Sequence, residues 1–392
     1  MDRRRDRMVK ADGRPLRVFV TGTRGIPRIM GGVEVHCEAL FPRLAAMGFD
    51  VTMARRRSYV AADAPRDEWN GVKIVDLPTP RKKAFEAILH TVRAVWEARR
   101  RGADIIHIHA VGPALAVPLA RMLGLKVVFT HHGFAYNRAK WGRVARWMLR
   151  LGESFGCRYA HRVIAISASI RDHVAQRYGR DDVTLIPNGA PAAEPTEDPD
   201  FFAQLGIEPR RYILSTCRFV PEKNLHHLVE AYAALKETCP AVREGRIQLV
   251  LAGDADFADA YSEELKARAR ALGVVLPGFV SGAPLRALLS NARAFVLPSS
   301  HEGLPIALLE AMAYSLPVAV SDIGPNLEVG LPTECYFPVG DVAALAKRLG
   351  DILEPGVPER VAYDLSRYDW DAIALQVADL YRSIFPRKDD VP

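Results

Sequence analysis

Residues 294–313 read AFVLPSSHEGLPIALLEAMA and carry a short apolar run, a polar loop and a helical pattern in succession. The apolar run ends at Pro298 and two serines, as a buried strand does. Beyond the loop, apolar residues recur at helical spacing, and Pro305 suits the first turn because a missing N–H costs nothing there. The stretch therefore predicts a strand, a loop that contains Glu302, and a helix that contains Glu310.

The same alternation of apolar strands and amphipathic helices extends on both sides of this stretch. Its strand patterns are RYILSTC, IQLVLAG, VVLPGFV and PVAVSD, and helical patterns lie between several of them. An earlier set runs from LRVFVTG to VTLIPNG, and the Pro-rich acidic segment APAAEPTEDPD separates the two sets. Such alternation predicts parallel sheets covered by helices on both faces. We therefore expect two α/β domains.

The expected boundaries follow from the position of the acidic segment. They give an N-terminal domain over residues 1–190, a second domain over 191–365 and a C-terminal helical segment over 366–392. That last segment contains the amphipathic sequence SRYDWDAIALQVADLYRSIF, and we expect it to cross back onto the first domain. A ligand should bind in a central cleft between the domains, at the carboxyl ends of the strands.

Composition is that of an ordinary soluble globular protein with enough core for an enzyme. The chain has 392 residues, of which 49% are hydrophobic and 25% charged. No apolar stretch approaches the length of a bilayer-spanning helix, and the N-terminal residues lack the apolar region of a signal peptide. The five cysteines contain no C-x-x-C pair, so neither a disulfide framework nor a zinc motif is indicated. A reducing cytoplasm is the expected compartment.

Charge is distributed unevenly along the chain. Residues 1–190 carry a net charge of +17, whereas residues 191–392 carry −10. No recognisable nucleic-acid module accompanies the basic half, so we expect no nucleic-acid partner. An anionic membrane surface or a phosphate-bearing lipid acceptor explains the charge. RAKWGRVARWMLR, residues 138–150, intersperses tryptophans with arginines as an interfacial helix does, although a solvated basic helix with one buried face is the alternative.

Candidate binding residues lie in two loops of the second half. Arg218 and Lys223, in CRFVPEKN, follow a strand and precede a helix, which predicts a pocket for a diphosphate. Glu310 could accept hydrogen bonds from a ribose diol and Glu302 from sugar hydroxyls, while the amides at 303–305 would face the phosphates. The alternative for each charged residue is an ordinary solvated side chain.

Taken together, CRFVPEKN and HEGLPIALLEAMA resemble the motifs of the retaining nucleotide-sugar glycosyltransferases of family 4, which have the GT-B fold. The resemblance spans nearly the whole chain and includes GG at 31–32 and LIPNG before the acidic segment. TGTRGIP, GGVE and NRAKWGR look closest to bacterial members that build surface polysaccharides. The fold that the resemblance implies is two doubly wound parallel-sheet domains facing a central cleft.

The resemblance also implies roles for individual residues. Donor binding would be carried by Gly31, Gly32, Arg218, Lys223, Glu302, Gly303, Leu304 and Glu310. Arg218, Lys223 and Glu302 would also take part in catalysis. His131 or His132, at the end of VVFTHH, would match the histidine that contacts the transferred sugar, and the two adjacent rings leave that assignment open.

The reaction that the resemblance implies is transfer of a hexosyl group from a nucleoside-diphosphate sugar with retention of configuration. The acceptor would be a glycan or lipid-linked sugar, and the enzyme would lie in the cytoplasm or at the inner face of the cell membrane. No cofactor or metal is required, since the nucleotide sugar is a substrate and cations stabilise the leaving diphosphate. Asp254 and Asp256, in DAD, fit an acid-x-acid metal motif, but an acidic turn after a strand is the favoured interpretation.

Two other functions are compatible with parts of the sequence. TGTRGIPR is close to the glycine loop of NAD-dependent nucleotide-sugar epimerases and dehydratases, and Tyr136 and Lys140 fit their Y-x-x-x-K motif. Arg28 stands where the third glycine is needed, however, and that fold has no use for a second α/β half. A non-catalytic sugar-binding protein of the same fold is the other alternative, and a turnover assay separates it from a transferase.

Overall fold

A computed structural model describes residues 14–79, 86–137, 141–256 and 258–385, which form two compact units. The first unit comprises the described residues up to Gly189 together with those from Tyr368 onward, and the second runs from Ala190 to Arg367. These divisions lie within two residues of the boundaries expected from the acidic segment. Two basic runs of the first half, RRRDR at residues 3–7 and RKK at residues 81–83, lie outside the described residues, as do residues 138–140 with Lys140.

The sheet of the first unit is parallel except at one edge. Its order is β3-β4-β2-β1-β5-β6-β7-β8, and among the described residues only the β3–β4 pair is antiparallel. The strands are β1 (Arg17–Thr21), β2 (Asp50–Arg56), β3 (Glu68–Trp69), β4 (Val72–Leu77), β5 (Ile105–His109), β6 (Lys126–His131), β7 (Arg162–Ala165) and β8 (Val183–Leu185). The order reverses direction between β1 and β5, which is where such sheets bind ligands.

The sheet of the second unit has six strands, all parallel. Its order is β11-β10-β9-β12-β13-β14, which reverses between β9 and β12. The strands are β9 (Tyr212–Thr216), β10 (Gln248–Ala252), β11 (Val275–Gly278), β12 (Ala294–Leu297), β13 (Val318–Ser321) and β14 (Tyr336–Phe337). Apart from the short β3 and β14, each strand coincides with an apolar run of the sequence, because strands buried on both faces need continuous apolar residues.

Helices connect the strands. In the first unit they are α1 (Gly32–Ala46), α2 (Glu86–Arg100), α3 (Val117–Met122), α4 (Arg143–Tyr159) and α5 (Ala168–Tyr178). In the second unit they are α6 (Pro199–Leu205), α7 (Leu225–Thr238), α8 (Pro240–Arg243), α9 (Ala260–Ala271), α10 (Ala283–Asn291), α11 (Ile306–Ala313), α12 (Gly324–Leu327) and α13 (Val342–Leu353). The last helix, α14 (Trp370–Arg382), belongs to the first unit.

Helix α14 packs into the core of the first unit. Trp370, Ile373, Val377 and Tyr381 are buried in one cluster with side chains of α1 and β1. Burying a large apolar side chain contributes about 1.5–3 kcal/mol, so this helix is an integral part of the first unit. Among the described residues, no helix combines the length and the apolar character needed to cross a membrane.

Candidate active site

The loops after β9 and β12 meet at the point where the strand order of the second unit reverses. Lys223 Nζ lies 2.5 Å from Glu302 Oε1, although the two residues are 79 positions apart. Ser300 N–H donates to the carbonyl of Glu222, and the Asn224 side-chain amide donates to the carbonyl of Pro298. The structure thus joins the two sequence motifs in one constellation.

The two acids of the DAD motif each form an ion pair beside this constellation, one with Arg218 and one with Lys266. Arg218 Nη1 lies 3.1 Å from Asp256 Oδ2, and Lys266 Nζ lies 2.6 Å from Asp254 Oδ1. Each acid of the motif therefore contacts a cationic side chain. Asp256 is the partner that sequence reasoning had not assigned to Arg218.

A glycine absent from the sequence-based predictions brings these loops together. Gly253 follows β10 with φ +141, and a Cβ there would lie 1.9 Å from the carbonyl oxygen of Cys217. Only glycine permits so close an approach of two backbones. The loop that carries Asp254 and Asp256 can therefore pack directly against the start of the Arg218 loop.

Glu310 lies half-buried on α11. Burial raises the pKa of Glu310 to about 7, and the described residues provide no hydrogen-bond partner for its carboxylate. Pro305 is the residue that precedes α11 rather than part of its first turn, and Leu304 beside it is buried. Gly303 lies between Leu304 and Glu302, so the loop runs directly from the ion pair to the helix.

Gly31 and Gly32 lie where the loop after β1 enters α1. Gly31 has φ +146, and a Cβ there would lie 2.0 Å from Glu34 Oε2. Glu34 itself accepts a hydrogen bond of 2.9 Å from Arg24 N–H, which closes the loop onto the helix. Gly32 is the first residue of α1, and a Cβ there would meet no atom within 4 Å. Glycine is thus required at position 31 by geometry.

The structure places His131 and His132 in different environments. His131 is fully buried, with Nε2 at 2.8 Å from Glu153 Oε1 and Nδ1 accepting from Gly133 N–H at 3.2 Å. Both ring nitrogens of His131 are therefore engaged inside the unit. His132 is only half-buried, and its Nε2 lies 2.9 Å from His109 Nδ1. Of the two rings, His132 is the more exposed.

Glu153 holds several groups around the end of β6. Besides His131, its carboxylate accepts from the hydroxyls of Tyr178, at 2.8 Å, and Tyr136, at 3.1 Å. Burial works against the charged form, yet hydrogen bonds from His131 and Tyr178 hold the pKa of Glu153 below its usual value. Glu153 lies on α4, and nothing in the sequence pattern distinguished it from a surface glutamate.

His132 lies beside two buried imidazoles. His36 on α1 and His109 at the end of β5 lie beside it, and their rings contact one another. Burial lowers the pKa of His36 to about 4 and the pKa values of His109 and His132 well below the usual range, with neighbouring histidines adding to the effect for the last two. His132 is therefore neutral at pH 7. His109 lies in the apolar run IIHIH, and the sequence-based predictions included neither it nor His36.

The epimerase-like motif does not assemble a tyrosine available to substrate. Tyr136 is buried, its hydroxyl donates to Glu153, and burial raises the pKa of that hydroxyl. A catalytic tyrosine in that chemistry needs an exposed hydroxyl that ionises readily. Arg28 occupies the third glycine position with φ +56.

Comparison with known proteins agrees with the two-unit architecture. The model described as "Glycosyltransferase Family 4" matches residues 30–194, and the model described as "Glycosyl transferases group 1" matches residues 197–364. Neither match lends support to an epimerase or dehydratase.

Similarity extends over most of the chain. The chain is 28% identical to the alpha-maltose-1-phosphate synthase of Mycolicibacterium smegmatis, covering 91% of this chain and 97% of that protein. It is 29% identical to the GDP-mannose:cellobiosyl-diphosphopolyprenol alpha-mannosyltransferase of Komagataeibacter xylinus, covering 73% of each. The structure of Anabaena HepE in complex with UDP and glucose matches with a TM-score of 0.73 at 18% identity, covering 94% of this chain and 100% of that one. The chain therefore belongs to the glycosyltransferases with the GT-B fold, built from a Glycosyltransferase Family 4 region followed by a group 1 region.

Proposed function

We propose that this glycosyltransferase moves a hexosyl group from a nucleoside-diphosphate sugar to a hydroxyl of a lipid-linked or growing surface glycan, with retention of configuration. The observation that carries the proposal is the contact between Lys223 and Glu302, which joins two loops where the strand order reverses. Arg218 and Glu310 lie in the same two loop-to-helix connections. Cations for a diphosphate and carboxylates for hydroxyls are thus supplied from one edge of one sheet.

Cationic side chains and a carboxylate bind different parts of the donor in this constellation. Lys223 and Arg218 supply charge-assisted hydrogen bonds to the diphosphate, each exchanging an acidic partner for a phosphate oxygen. The half-buried carboxylate of Glu310 accepts from the ribose hydroxyls. Two relatives support this class of donor, since HepE binds UDP and glucose and the xylinus enzyme is named for GDP-mannose.

Catalysis consists of stabilising charge that develops on the leaving group. The bond between the anomeric carbon and the diphosphate oxygen breaks, and the acceptor hydroxyl attacks the same face of the sugar. Its proton passes to the departing phosphate oxygen. Lys223 and Arg218 stabilise the diphosphate, and Glu302 and the neutral His132 orient the sugar hydroxyls. Glu153, which holds the adjacent His131, acts as a positioning residue.

Metal-independent transfer fits the state of the DAD motif. Asp254 contacts Lys266 and Asp256 contacts Arg218, so a metal at this motif would have to replace two ion pairs. We expect that EDTA does not lower turnover. Loss of activity in EDTA, restored by manganese, would instead make Asp254 and Asp256 metal ligands.

The acceptor is proposed to be bound at a membrane surface by the first unit, on the cytoplasmic side. One face of α4 exposes Val144 and Trp147, at 72% and 63%, among the exposed Arg143, Arg146 and Arg150. The part of α4 that follows is buried and carries Glu153. Apolar side chains flanked by arginines favour the interface of an anionic bilayer. The diphosphopolyprenol in the name of the xylinus enzyme supports a lipid-linked acceptor.

A panel of nucleotide sugars tests the donor. Binding to the native state raises the melting temperature, by an amount that grows with ligand concentration above Kd. We expect one nucleotide sugar, and its free nucleoside diphosphate, to stabilise the protein. Incubation with that donor and a lipid-linked glycan should then give a product whose new linkage has the anomeric configuration of the donor, as read by NMR. Binding without turnover would identify a sugar-binding protein instead.

A further inference from the structure

Three imidazoles in the first unit come close enough to share a ligand. His36 is on α1, His109 ends β5 and His132 follows β6, so three separate elements meet at the carboxyl edge of the sheet. One nitrogen from each ring lies within 4.8 Å of the others, and within the described part of the chain no other group of histidine, cysteine and acidic residues meets this condition. No sequence motif announced the cluster, because its members are 23 or more positions apart.

Hydrogen bonding fixes which nitrogen of His36 is available. Its Nδ1 lies 2.9 Å from Asn188 Oδ1, and an amide oxygen only accepts, so the proton is on Nδ1 and Nε2 carries a lone pair. Nε2 of His36 and Nε2 of His109 are both buried and have no hydrogen-bond partner among the described residues. Leaving a buried polar atom without a partner is unfavourable, so the site favours a ligand that accepts a lone pair, as a metal ion does.

We propose that His36, His109 and His132 bind a divalent transition-metal ion of the Zn²⁺ type. Neutral imidazoles are good ligands for Zn²⁺, Co²⁺ and Ni²⁺, whereas Mg²⁺ and Ca²⁺ prefer oxygen, which this cluster lacks. The Asn188 contact to His36 is the kind of outer hydrogen bond that orients a metal-bound histidine. Three imidazoles with an open fourth position, on the half-exposed side of His132, match a known arrangement for zinc.

The cluster needs only a small movement to close around an ion. Tetrahedral zinc–nitrogen bonds of about 2.0–2.1 Å place the nitrogens about 3.4 Å apart, so nitrogens at the 4.8 Å limit must approach by about 1.5 Å. His132 is the ring with room to move, and its contact with His109 Nδ1 is the one that metal binding would replace. Because His132 also contacts the sugar under the proposed function, bound zinc should inhibit transfer. That consequence rests on the proposed function, but metal binding itself does not.

The test is titration of the chelator-treated full-length protein with ZnCl₂ by calorimetry, and with CoCl₂ by visible absorption. We expect one tight site per chain, a d–d spectrum without thiolate charge transfer, and no comparable binding of MgCl₂. His36→Ala and His109→Ala should abolish the site. Asn188→Ala, which retains all three ligands, should weaken it by about 10–100-fold.

A matched control is available in the second unit. His226 and His227 are adjacent rings 4.1 Å apart that belong to no group of three, so the double change to alanine should leave zinc affinity unaltered. Circular dichroism without metal checks that each variant is folded. Absence of a tight site in the parent, equal affinity in the folded Asn188→Ala protein, or loss of binding in the His226/His227 variant would each overturn the proposal. Failure to find a sugar donor would leave this result untouched.

Discussion

Glu310 would bind the ribose in its ionised form, but its surroundings on α11 disfavour ionisation. Partial burial on α11 favours the protonated form of this carboxyl and raises its pKa to about 7. Ribose hydroxyls would offset the cost by donating to the ionised form. The nucleotide should therefore bind more weakly as the pH falls below 7, because the proton and the ribose compete for the same oxygens.

The protonation of Glu310 should affect folding stability in the opposite direction, since stability should fall as the pH rises. The folded protein holds the Glu310 proton up to about pH 7, whereas the usual value is 4.5, so between these limits the folded state binds more protons. Stability contributed by this proton is complete below pH 4.5 and is lost as the pH rises to 7. Glu310→Gln should abolish that loss. The free energy of unfolding of the variant, relative to that of the parent, should therefore rise by on the order of 2–3 kcal/mol between pH 4.5 and pH 8.

Urea unfolding of the free protein at the two pH values measures this difference. A parallel calorimetric titration with nucleoside diphosphate should show weaker binding to Glu310→Gln. Equal nucleotide affinity in variant and parent would remove Glu310 from the donor site, whatever the stability result.

Glu153 offers a second prediction at the residue scale. Glu153→Ala leaves His131, Tyr136 and Tyr178 without their shared acceptor, and each unsatisfied buried donor costs about 1–3 kcal/mol. Because the pKa of Glu153 is depressed, the ionised contacts stabilise the fold fully above pH 4.5 and progressively less as the pH falls below it. Urea unfolding should show that the difference in free energy of unfolding between the parent and Glu153→Ala becomes smaller from pH 7 to pH 3.

The positioning role has its own readout. Glu153→Gln keeps an acceptor for His131 and should retain more turnover than Glu153→Ala, in which the loss of that acceptor displaces His131 and the adjacent His132. The KM for the donor should be unchanged in both variants, because the diphosphate site lies in the other unit and stays intact. Equal turnover in parent and Glu153→Ala would show that His131 does not position His132 for the reaction.

Residue pairing across distant motifs was predictable in part. Lys223 and Glu302 could be brought together from sequence because both follow strands whose carboxyl ends share an edge. The choice between His131 and His132 could not, because it depends on Glu153, whose burial comes from the packing of α4. Gly253 was equally hidden, since its role depends on the carbonyl of Cys217 in another loop.

At the scale of elements, strands were predicted well where they are buried and apolar. The omitted pieces are β3 and β14, two residues each, which are too short to give a periodic signal. The β3–β4 hairpin did have a signal, namely Asn70-Gly71, whose positive φ values of 46° and 80° are those of a tight hairpin turn. The β3–β4 hairpin forms an antiparallel edge on an otherwise parallel sheet.

Helix α4 carries exposed arginines in its N-terminal part and the buried Glu153 in its C-terminal part. Changing Arg143, Arg146 and Arg150 to glutamine should weaken sedimentation with anionic vesicles, because each basic group near such a surface contributes about 1 kcal/mol. Binding by the parent should fall as salt is raised. The matched control is Arg243→Gln, Arg246→Gln and Arg270→Gln in the second unit, where the same loss of charge should have little effect. A parent that ignores anionic vesicles at low salt would assign the basic face to a soluble partner.

For the molecule as a whole, the uneven charge now maps onto two folded units. The basic half of the chain forms most of the first unit, and the acidic half forms the second, where the few cations of the candidate donor site contact carboxylates. Two sheets of similar order, each with a reversal point lined by the predicted residues, agree with a GT-B glycosyltransferase. The identity of the sugar was beyond sequence, since it depends on a few pocket contacts.

The central claim is that the constellation at the β9/β12 reversal stabilises a departing nucleoside diphosphate. The most direct measurement is the rate of diphosphate release from the stabilising nucleotide sugar, compared among the parent, Lys223→Ala and the control Lys347→Ala, whose side chain is exposed on α13. Loss of one contact made in the transition state costs about 2.7–4 kcal/mol. We therefore predict that folded Lys223→Ala turns over about 100-fold more slowly or worse, while Lys347→Ala matches the parent. A Lys223→Ala rate within about two-fold of the parent would contradict the account.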